Sequence, residues 1–177
     1  MITILKQQVE DIKMMQFILA TQDHLEKIVA TYNASIPRRL ATADLTEVSV
    51  ESKQKWFDDH NEEKRPLWII NYNNEYAGWM SFSSFYGRPA YDATIEVSIY
   101  IEPNMQGKGL GKEALKYAEP EAKKRNIKTL LGFIFGHNEA SLNLFFKQGY
   151  AKWAQLPEIA NMEGVLRDLI ILGKKLV

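Results

Sequence analysis

The chain has 177 residues, and its 22 basic side chains balance 22 acidic ones, so the formal net charge is zero. This balance argues against a general nucleic-acid-binding protein, which usually carries an excess of basic charge. The chain has no cysteine, which excludes disulfides, cysteine-ligated metal sites and a cysteine nucleophile, and its histidines lack metal-ligand spacing, so we expect no metal.

The N-terminal segment mixes charged and apolar residues and predicts neither a signal peptide nor a membrane anchor. It lacks a continuous apolar stretch, and no part of the chain approaches the ~20 apolar residues of a membrane span. We therefore expect a cytoplasmic protein in which residues 1–14 form an extension and residues 15–177 form a single domain.

The first half of that domain predicts a strand, two helices and a hairpin. In chain order these are a strand at 15–20, a helix capped by Thr21 or Asp23 that ends by Ser35, a loop at 38–48, a helix beginning at Ser49, and strands at 67–72 and 76–85. The first helix rests on apolar residues spaced three or four positions apart. The two strands flank a polar turn, as in a hairpin.

The second half predicts four strands and two helices. They are a strand at 94–102, a helix at 109–125, a strand at 128–135, a helix at 138–147, and strands at 150–156 and 166–176 with a turn near Glu163-Gly164. Pro120 conflicts with the longer helix, because proline in a helix interior costs about 3 kcal/mol. Strands interleaved with helices in this order predict a mixed α/β layered domain.

A glycine-rich run, Gln106-Gly107-Lys108-Gly109-Leu110-Gly111, lies between a predicted strand and a predicted helix. Glycine lets the backbone approach a ligand, and a helix start presents free N–H groups, so the run predicts a phosphate-binding cradle. It is not a Walker A loop, because Glu113 stands where that loop needs Ser or Thr. It is not a Rossmann fingerprint either, because the third glycine position holds Lys112.

The spacing Gln106-x-x-Gly109-x-Gly111 resembles the pyrophosphate signature Q/R-x-x-G-x-G/A of the GNAT acetyltransferase superfamily. The apolar-x-apolar piece Ile99-Tyr100-Ile101 precedes it, and an Asn138-led helix ending in Gly149-Tyr150 follows. Within the superfamily the chain is most similar to phosphinothricin acetyltransferase-like enzymes. The matching segments are Tyr32-Asn33, residues 83–91 and Thr94-x-Glu96-x-Ser98-x-Tyr100, and the resemblance covers about Phe17 to Lys174.

This resemblance implies a GNAT fold, with a twisted and mostly antiparallel sheet of about six to seven strands flanked by about four helices. It implies acetyl-CoA as co-substrate, a homodimer, and as acceptor the primary amine of a small molecule such as an amino acid or an analogue like phosphinothricin or methionine sulfone. The cofactor-binding residues that it implies are Ile99, Tyr100, Ile101, Gln106, Gly107, Lys108, Gly109, Leu110, Gly111, Lys112, Asn138, Ser141 and Phe145. Asn138 can also act as a helix N-cap.

The resemblance also implies that Glu96 is the general base. Glu96 lies on the predicted strand roughly 10 Å before Ile99, so we expect a bridging water. The alternative is a solvated strand carboxylate paired with a lysine. The backbone N–H groups of Ile99 and Ile101 could bind the thioester carbonyl or the pantetheine amides. We expect Glu102 to be structural and His137 to be a cap or surface residue.

Phe145 departs from the family pattern, because many members have a proton-donating tyrosine there. The thiolate then leaves unprotonated, or takes a proton from water or from Tyr150. The candidate acceptor-binding residues are Tyr32, Asn33, Tyr86 and Arg88, the last as a carboxylate clamp. We expect the four tryptophans in the core. The alternatives to a small-molecule acetyltransferase are an enzyme acting on proteins, peptides or polyamines, and a CoA-binding regulatory module without turnover.

Overall fold

The computed structural model describes residues 14–176, which build a seven-stranded sheet and four α-helices. The strands are β1 (Met15–Leu19), β2 (Leu67–Tyr72), β3 (Glu75–Ser84), β4 (Thr94–Ile101), β5 (Thr129–Phe135), β6 (Ala151–Met162) and β7 (Val165–Lys175). The helices are α1 (Leu25–Ser35), α2 (Val50–Asp58), α3 (Leu110–Lys124) and α4 (Glu139–Lys147). The predicted order of elements and the predicted mixed α/β fold are confirmed.

The strands lie in the order β1-β2-β3-β4-β5-β7-β6, and only β4 and β5 are parallel neighbours. These two strands pair over a short stretch, from Thr94 to Glu96 on β4. β4 then continues to Ile101, but its remaining residues have no partner on β5. The sheet therefore splays open between its two central strands, and the candidate site lies in this opening.

Side chains cover the sheet on both faces. Alternation along β4 sends Ile95 and Val97 into the main core, where they pack with the buried stripe of α3. The other face carries a smaller cluster around Ile28, Ile69 and Trp79, beneath α1 and α2. Burying each such side chain contributes about 1.5–3 kcal/mol, so the two layers hold the central strands in place from both sides.

One detail differs from the sequence prediction. β6 does not end at residue 156 but reaches Met162, because the strand resumes after an irregularity in its pairing between Leu156 and Ala160. The predicted helix across Pro120 is confirmed, because α3 continues to Lys124. The predicted start of α2 is confirmed, because the Ser49 side chain accepts a hydrogen bond from the N–H of Ser52 at 3.1 Å.

The predicted N-terminal extension falls outside the described residues except for Met14, whose N–H donates to the side chain of Asn73. Between Met14 and Leu176, none of the helices combines the length and the hydropathy that crossing a membrane requires.

Candidate active site

A cleft of about 370 Å³ lies in the opening between β4 and β5. The Glu102 N–H donates to the Ala77 carbonyl. With the observed register of β3 and β4, the N–H and C=O groups of the even-numbered β4 residues therefore point toward β3. Ile99 and Ile101 consequently direct their N–H and C=O groups toward the cleft, beyond the last residue paired with β5. Their orientation allows this edge to pair with an extended, amide-bearing ligand.

The glycine run borders one end of this cleft, which its first and last residues, Gln106 and Gly111, line. Gly107 and Gly109 have φ angles of 77° and 80°, and a Cβ added at either position would have nothing within 4 Å. Gly109 caps α3. In the part of the chain that the structure describes, the N–H groups of Gly107, Lys108 and Gly109 donate to no backbone carbonyl. These groups and the helix start form an anion cradle.

The two lysines predicted to bind at this cradle differ in their contacts. The ammonium of Lys108 folds back to donate to the Asn104 carbonyl at 3.2 Å and contacts the sulfur of Met105. Lys112 is exposed in the first turn of α3. The cradle is thus formed mainly by the backbone, with Leu110 buried beneath it.

Arg38 is a cation near the cradle that sequence reasoning missed. It follows α1 in a single 3-10 turn, lines the cleft and donates to Gln106 Oε1 at 2.7 Å. Leu40 and Ala41, which follow Arg38, also line the cleft, and the Tyr100 hydroxyl donates to the Ala41 carbonyl at 3.1 Å. The sequence showed no period here, so no signal in it pointed to Arg38.

Asn138 caps α4, as one of its two predicted roles required. Its Oδ1 accepts from the N–H of Ser141 at 3.2 Å, and its Nδ2 donates to the Leu40 carbonyl at 3.0 Å. His137 adds a second tether through a 2.7 Å hydrogen bond between its Nε2 and the Arg39 carbonyl. Both side chains therefore hold the loop after α1 against the cleft. A ligand that uses Asn138 must replace one of these contacts.

A second cavity, of about 320 Å³, lies on the other face of the sheet beneath α1 and α2. Aromatic rings form much of its wall. The rings of Trp79 and Tyr100 stack with centroids 4.5 Å apart, and Trp56 meets Trp79 edge-on at 5.5 Å. The expectation that all four tryptophans belong to the core is wrong for Trp153, which is 46% exposed and covers Gly173.

Glu96 lines both cavities. Its side chain lies in register with Ser83 on β3, and the Ser98 hydroxyl is 3.4 Å from Oε1. Burial raises the pKa of Glu96, and the contact with Ser98 offsets this only in part. Within residues 14–176 no lysine or arginine forms a salt bridge with it. The alternative of a solvated, lysine-paired carboxylate is therefore wrong.

Glu102 has the structural position that the sequence predicted. The Thr31 hydroxyl donates to its carboxylate, which ties α1 to the end of β4. Thr31 also bonds the hydroxyl of Tyr76, and this small network is largely buried. Glu102 lines neither cavity, so its carboxylate stabilises the fold at the edge of the site.

The structure brings only one of the four predicted acceptor residues to a cavity. The Tyr32 ring lines the second cavity, while its hydroxyl donates to the Asp44 carboxylate. Asn33 instead uses its side-chain amide to bind both backbone groups of Val48. Tyr86, which is 77% exposed, and Arg88 lie on an outer loop and line neither cavity.

Phe145 lines the first cleft and packs edge-on against Tyr150, with ring centroids 4.8 Å apart. The Tyr150 hydroxyl is buried, and it has no hydrogen-bond partner among the described residues. It does not line the cleft, and burial raises the pKa of Tyr150, so it is poorly suited to supply a proton there. Among residues 14–176, no group of three or more His, Asp and Glu side chains is arranged to hold a metal ion.

A mostly antiparallel sheet that opens at its one parallel pair, with a backbone anion cradle at a helix start and a half-buried carboxylate farther along the same cleft, defines an acyl-transferring enzyme of the acetyltransferase class. The chain belongs to the Acetyltransferase (GNAT) family, whose model matches residues 23–150. Sequence and structure comparisons give the same result over most of the chain.

One relative is "Putative phosphinothricin acetyltransferase YwnH" of Bacillus subtilis, which is 47% identical over 89% of this chain and 97% of its own length. L-amino acid N-acyltransferase MnaT of Escherichia coli is 27% identical over 84% of this chain and 87% of its own length. The structure of YncA from Salmonella typhimurium with its cofactor acetyl-CoA superposes with a TM-score of 0.84 at 24% identity, covering 92% of this chain and 94% of that one.

Proposed function

We propose that this enzyme transfers the acetyl group of acetyl-CoA to the primary amine of a small, amino-acid-like molecule, with Glu96 as general base. The observation that carries the proposal is the position of Glu96, which lines both the cleft that fits the donor and the aromatic cavity that fits an acceptor. The named activities of the relatives on phosphinothricin and on L-amino acids support the choice of acceptor class.

The chain fits the donor at three places. The free N–H groups of Gly107 to Gly109 suit a pyrophosphate, and Arg38 beside Gln106 adds a positive charge. The cleft-facing backbone of Ile99 and Ile101 suits the amides of a pantetheine arm. Acetyl-CoA, when bound, supplies an acetyl thioester. The cleft narrows toward Glu96, where β4 and β5 pair.

The acetyl group is transferred as follows. Glu96 accepts a proton from the ammonium of the acceptor, directly or through a water, and the free amine attacks the thioester carbonyl. The Ile99 N–H donates to the carbonyl oxygen as negative charge develops there. A C–N bond forms, the C–S bond breaks, the thiolate leaves, and the new amide nitrogen gives up its second proton to water. Phe145 cannot protonate the thiolate, so water supplies that proton.

The second cavity favours a small acceptor. Its volume, about 320 Å³, lies near the lower end of the range for ligand pockets.

We propose that residues 15–177 act as one acetyltransferase domain, in the cytoplasm and as a homodimer. Light scattering coupled to size exclusion measures the mass directly, and a mass of one chain would contradict the dimer.

A thiol-release assay tests the proposal. Purified protein is incubated with acetyl-CoA and an acceptor panel of L-methionine sulfone, phosphinothricin, proteinogenic amino acids, spermidine and an alanine-initiated peptide. We expect turnover with members of the amino-acid group. Turnover confined to spermidine or to the peptide would replace the acceptor class. A thermal shift with acetyl-CoA but no turnover on any amine would instead support a regulatory module.

Replacing Phe145 by Tyr should restore a proton donor near the leaving thiolate. The ring already lines the cleft, so a hydroxyl at its tip adds a polar group within the site. We expect kcat to rise several-fold below the thiol pKa of about 8.5, and the gain to fade at higher pH, where the thiolate leaves unaided. The pH profile of kcat measures this. A uniform change at every pH would contradict the explanation.

Replacing Asn138 by Ala should lower the free energy of unfolding by about 1 kcal/mol, because α4 loses its cap. Ser49→Ala is the matched control, since it removes the cap of α2 from a helix that does not border the cleft. Urea unfolding should show a loss for both variants, and the larger one for Asn138→Ala, which also removes the hydrogen bond to the Leu40 carbonyl. Only Asn138→Ala should also weaken acetyl-CoA binding in calorimetry. Equal effects on binding would make Asn138 a cap alone.

A further inference from the structure

Among residues 14–176, only two charged side chains line the second cavity, and they have opposite signs. Glu96 lies on its floor, on the sheet. Lys53 lies on α2, the helix that covers the cavity. The remaining lining residues are aromatic, aliphatic or serine side chains. The cavity therefore offers one site for a positive group and one for a negative group, within a single small volume.

The Lys53 side chain is held over aromatic rings rather than extended into solvent. Its ammonium lies 4.3 Å from the centroid of the Tyr32 ring and 6.0 Å from that of Trp56. The Tyr32 ring is itself fixed, because its hydroxyl is bonded to both Thr42 and Asp44. Cation–π contacts of this kind position a cation without neutralising its charge.

Lys53 also differs from its neighbour on the same helix. Lys55 is 86% exposed and forms a salt bridge with Asp59 at 3.0 Å. Within residues 14–176, by contrast, no carboxylate lies within salt-bridge distance of Lys53. A cation that lines a cavity and has no acidic partner there can bind an anion with little competition from the protein.

We propose that Lys53 binds an anionic group of the acceptor and thereby selects zwitterionic amines over neutral amines and diamines. This inference rests on the proposed function, in which Glu96 receives the amine. Arg88, the expected carboxylate clamp, is on an outer loop that lines neither cavity. The anion is an α-carboxylate or a side-chain phosphinate, which share the oxyanion chemistry that an ammonium recognises. A diamine would place a second positive charge beside Lys53 and be repelled.

The test compares Lys53→Met, Lys53→Arg and the matched control Lys55→Met. Methionine keeps the aliphatic stem over Tyr32 and removes only the charge. Three acceptors are used: L-methionine sulfone, its carboxamide, and 3-aminopropyl(methyl)phosphinic acid, which lacks the carboxylate but keeps the phosphinate. Cadaverine serves as the diamine. KM and kcat are measured for each variant with each acceptor.

We expect Lys53→Met to raise KM for L-methionine sulfone by about ten- to a hundredfold, the range for a hydrogen bond between charged groups. kcat should change little, and KM for the carboxamide should stay within about twofold. The turnover of cadaverine should rise. Lys53→Arg should keep most of the discrimination, and Lys55→Met should match the wild type. An equal increase in KM for the phosphinic acid would assign the phosphinate as a second anion source.

Equal losses on the acid and its carboxamide would overturn the role of Lys53 while leaving the proposed function intact. The same holds if Lys55→Met and Lys53→Met behave alike. If the wild type acetylates cadaverine but neither L-methionine sulfone, its carboxamide nor the phosphinic acid, the proposed amino-acid acceptor is wrong, and the role of Lys53 is wrong with it. Melting temperatures of all variants accompany the kinetics, so that an unfolded variant is recognised as such.

Discussion

Replacing Glu96 by Gln should lower kcat/KM by about 10²–10⁴-fold, the usual contribution of a positioned general base. Glutamine keeps the shape of the side chain but cannot accept the proton of the amine. The thermal shift with acetyl-CoA should be unchanged, because the donor contacts lie along the cleft beyond Ile99. Steady-state kinetics with the best acceptor of the panel measures the loss.

The pH dependence of the wild type provides a second test of Glu96. The base must be ionised, so kcat/KM should fall as the pH drops through its pKa. Since burial raises the pKa of Glu96, the acidic limb should lie above the ~4.3 of an unperturbed glutamate. The limb should be absent from the residual activity of Glu96→Gln.

The same shift predicts the stability of the variant. A carboxyl group whose pKa is raised in the folded state favours folding while it is protonated, and this contribution is lost as the pH rises through the folded-state pKa. Glu96→Gln should therefore be at least as stable as the wild type at neutral pH, and the difference should shrink toward acid pH. Glu102→Gln is the control, with activity within a few-fold of the wild type. Full activity in Glu96→Gln would refute the assignment of the base.

Replacing Gly78 by Ala should lower the free energy of unfolding by about 3 kcal/mol or more. A Cβ at this position would lie 2.1 Å from the Tyr100 carbonyl oxygen and 2.9 Å from the Ile101 Cα. Both are backbone atoms of the neighbouring strand, so no rotamer change relieves the contact. The φ of Gly78 is 149°, which side-chain-bearing residues rarely adopt.

Gly87→Ala is the matched control that distinguishes backbone strain from a steric clash of the added Cβ. Gly87 has a φ of 61°, and a Cβ added there would have nothing within 4 Å. Only the backbone preference is lost at this position, at about 1–2 kcal/mol. Urea unfolding of both variants measures the difference. Gly78→Ala should also lose activity below its melting temperature, because Tyr100 and Ile101 form the cleft edge. A Gly78→Ala protein as stable as Gly87→Ala would contradict this account.

Local patterns in the sequence predicted the fold well. The alternation from Thr94 to Ile101, the helix spacing after Leu25 and the cap at Ser49 each reflect hydrogen bonds and burial within a few residues. The one clear error in extent, the end of β6, arose where the strand pairing is irregular. There the partner strand β7, rather than local propensity, maintains the strand.

The glycine run and the cap at Asn138 could also be read directly, because each acts through its own backbone. The set of residues that form the acceptor cavity could not be predicted from the sequence. Lys53 and Tyr32 lie on different helices, Glu96 on a strand distant from both in sequence, and Arg88 on a loop that the fold turns away. By itself the sequence determined the elements and the donor loop, whose physics is local. The tertiary structure alone decided which side chains meet across α1, α2 and β4, because that depends on helix packing over a splayed sheet.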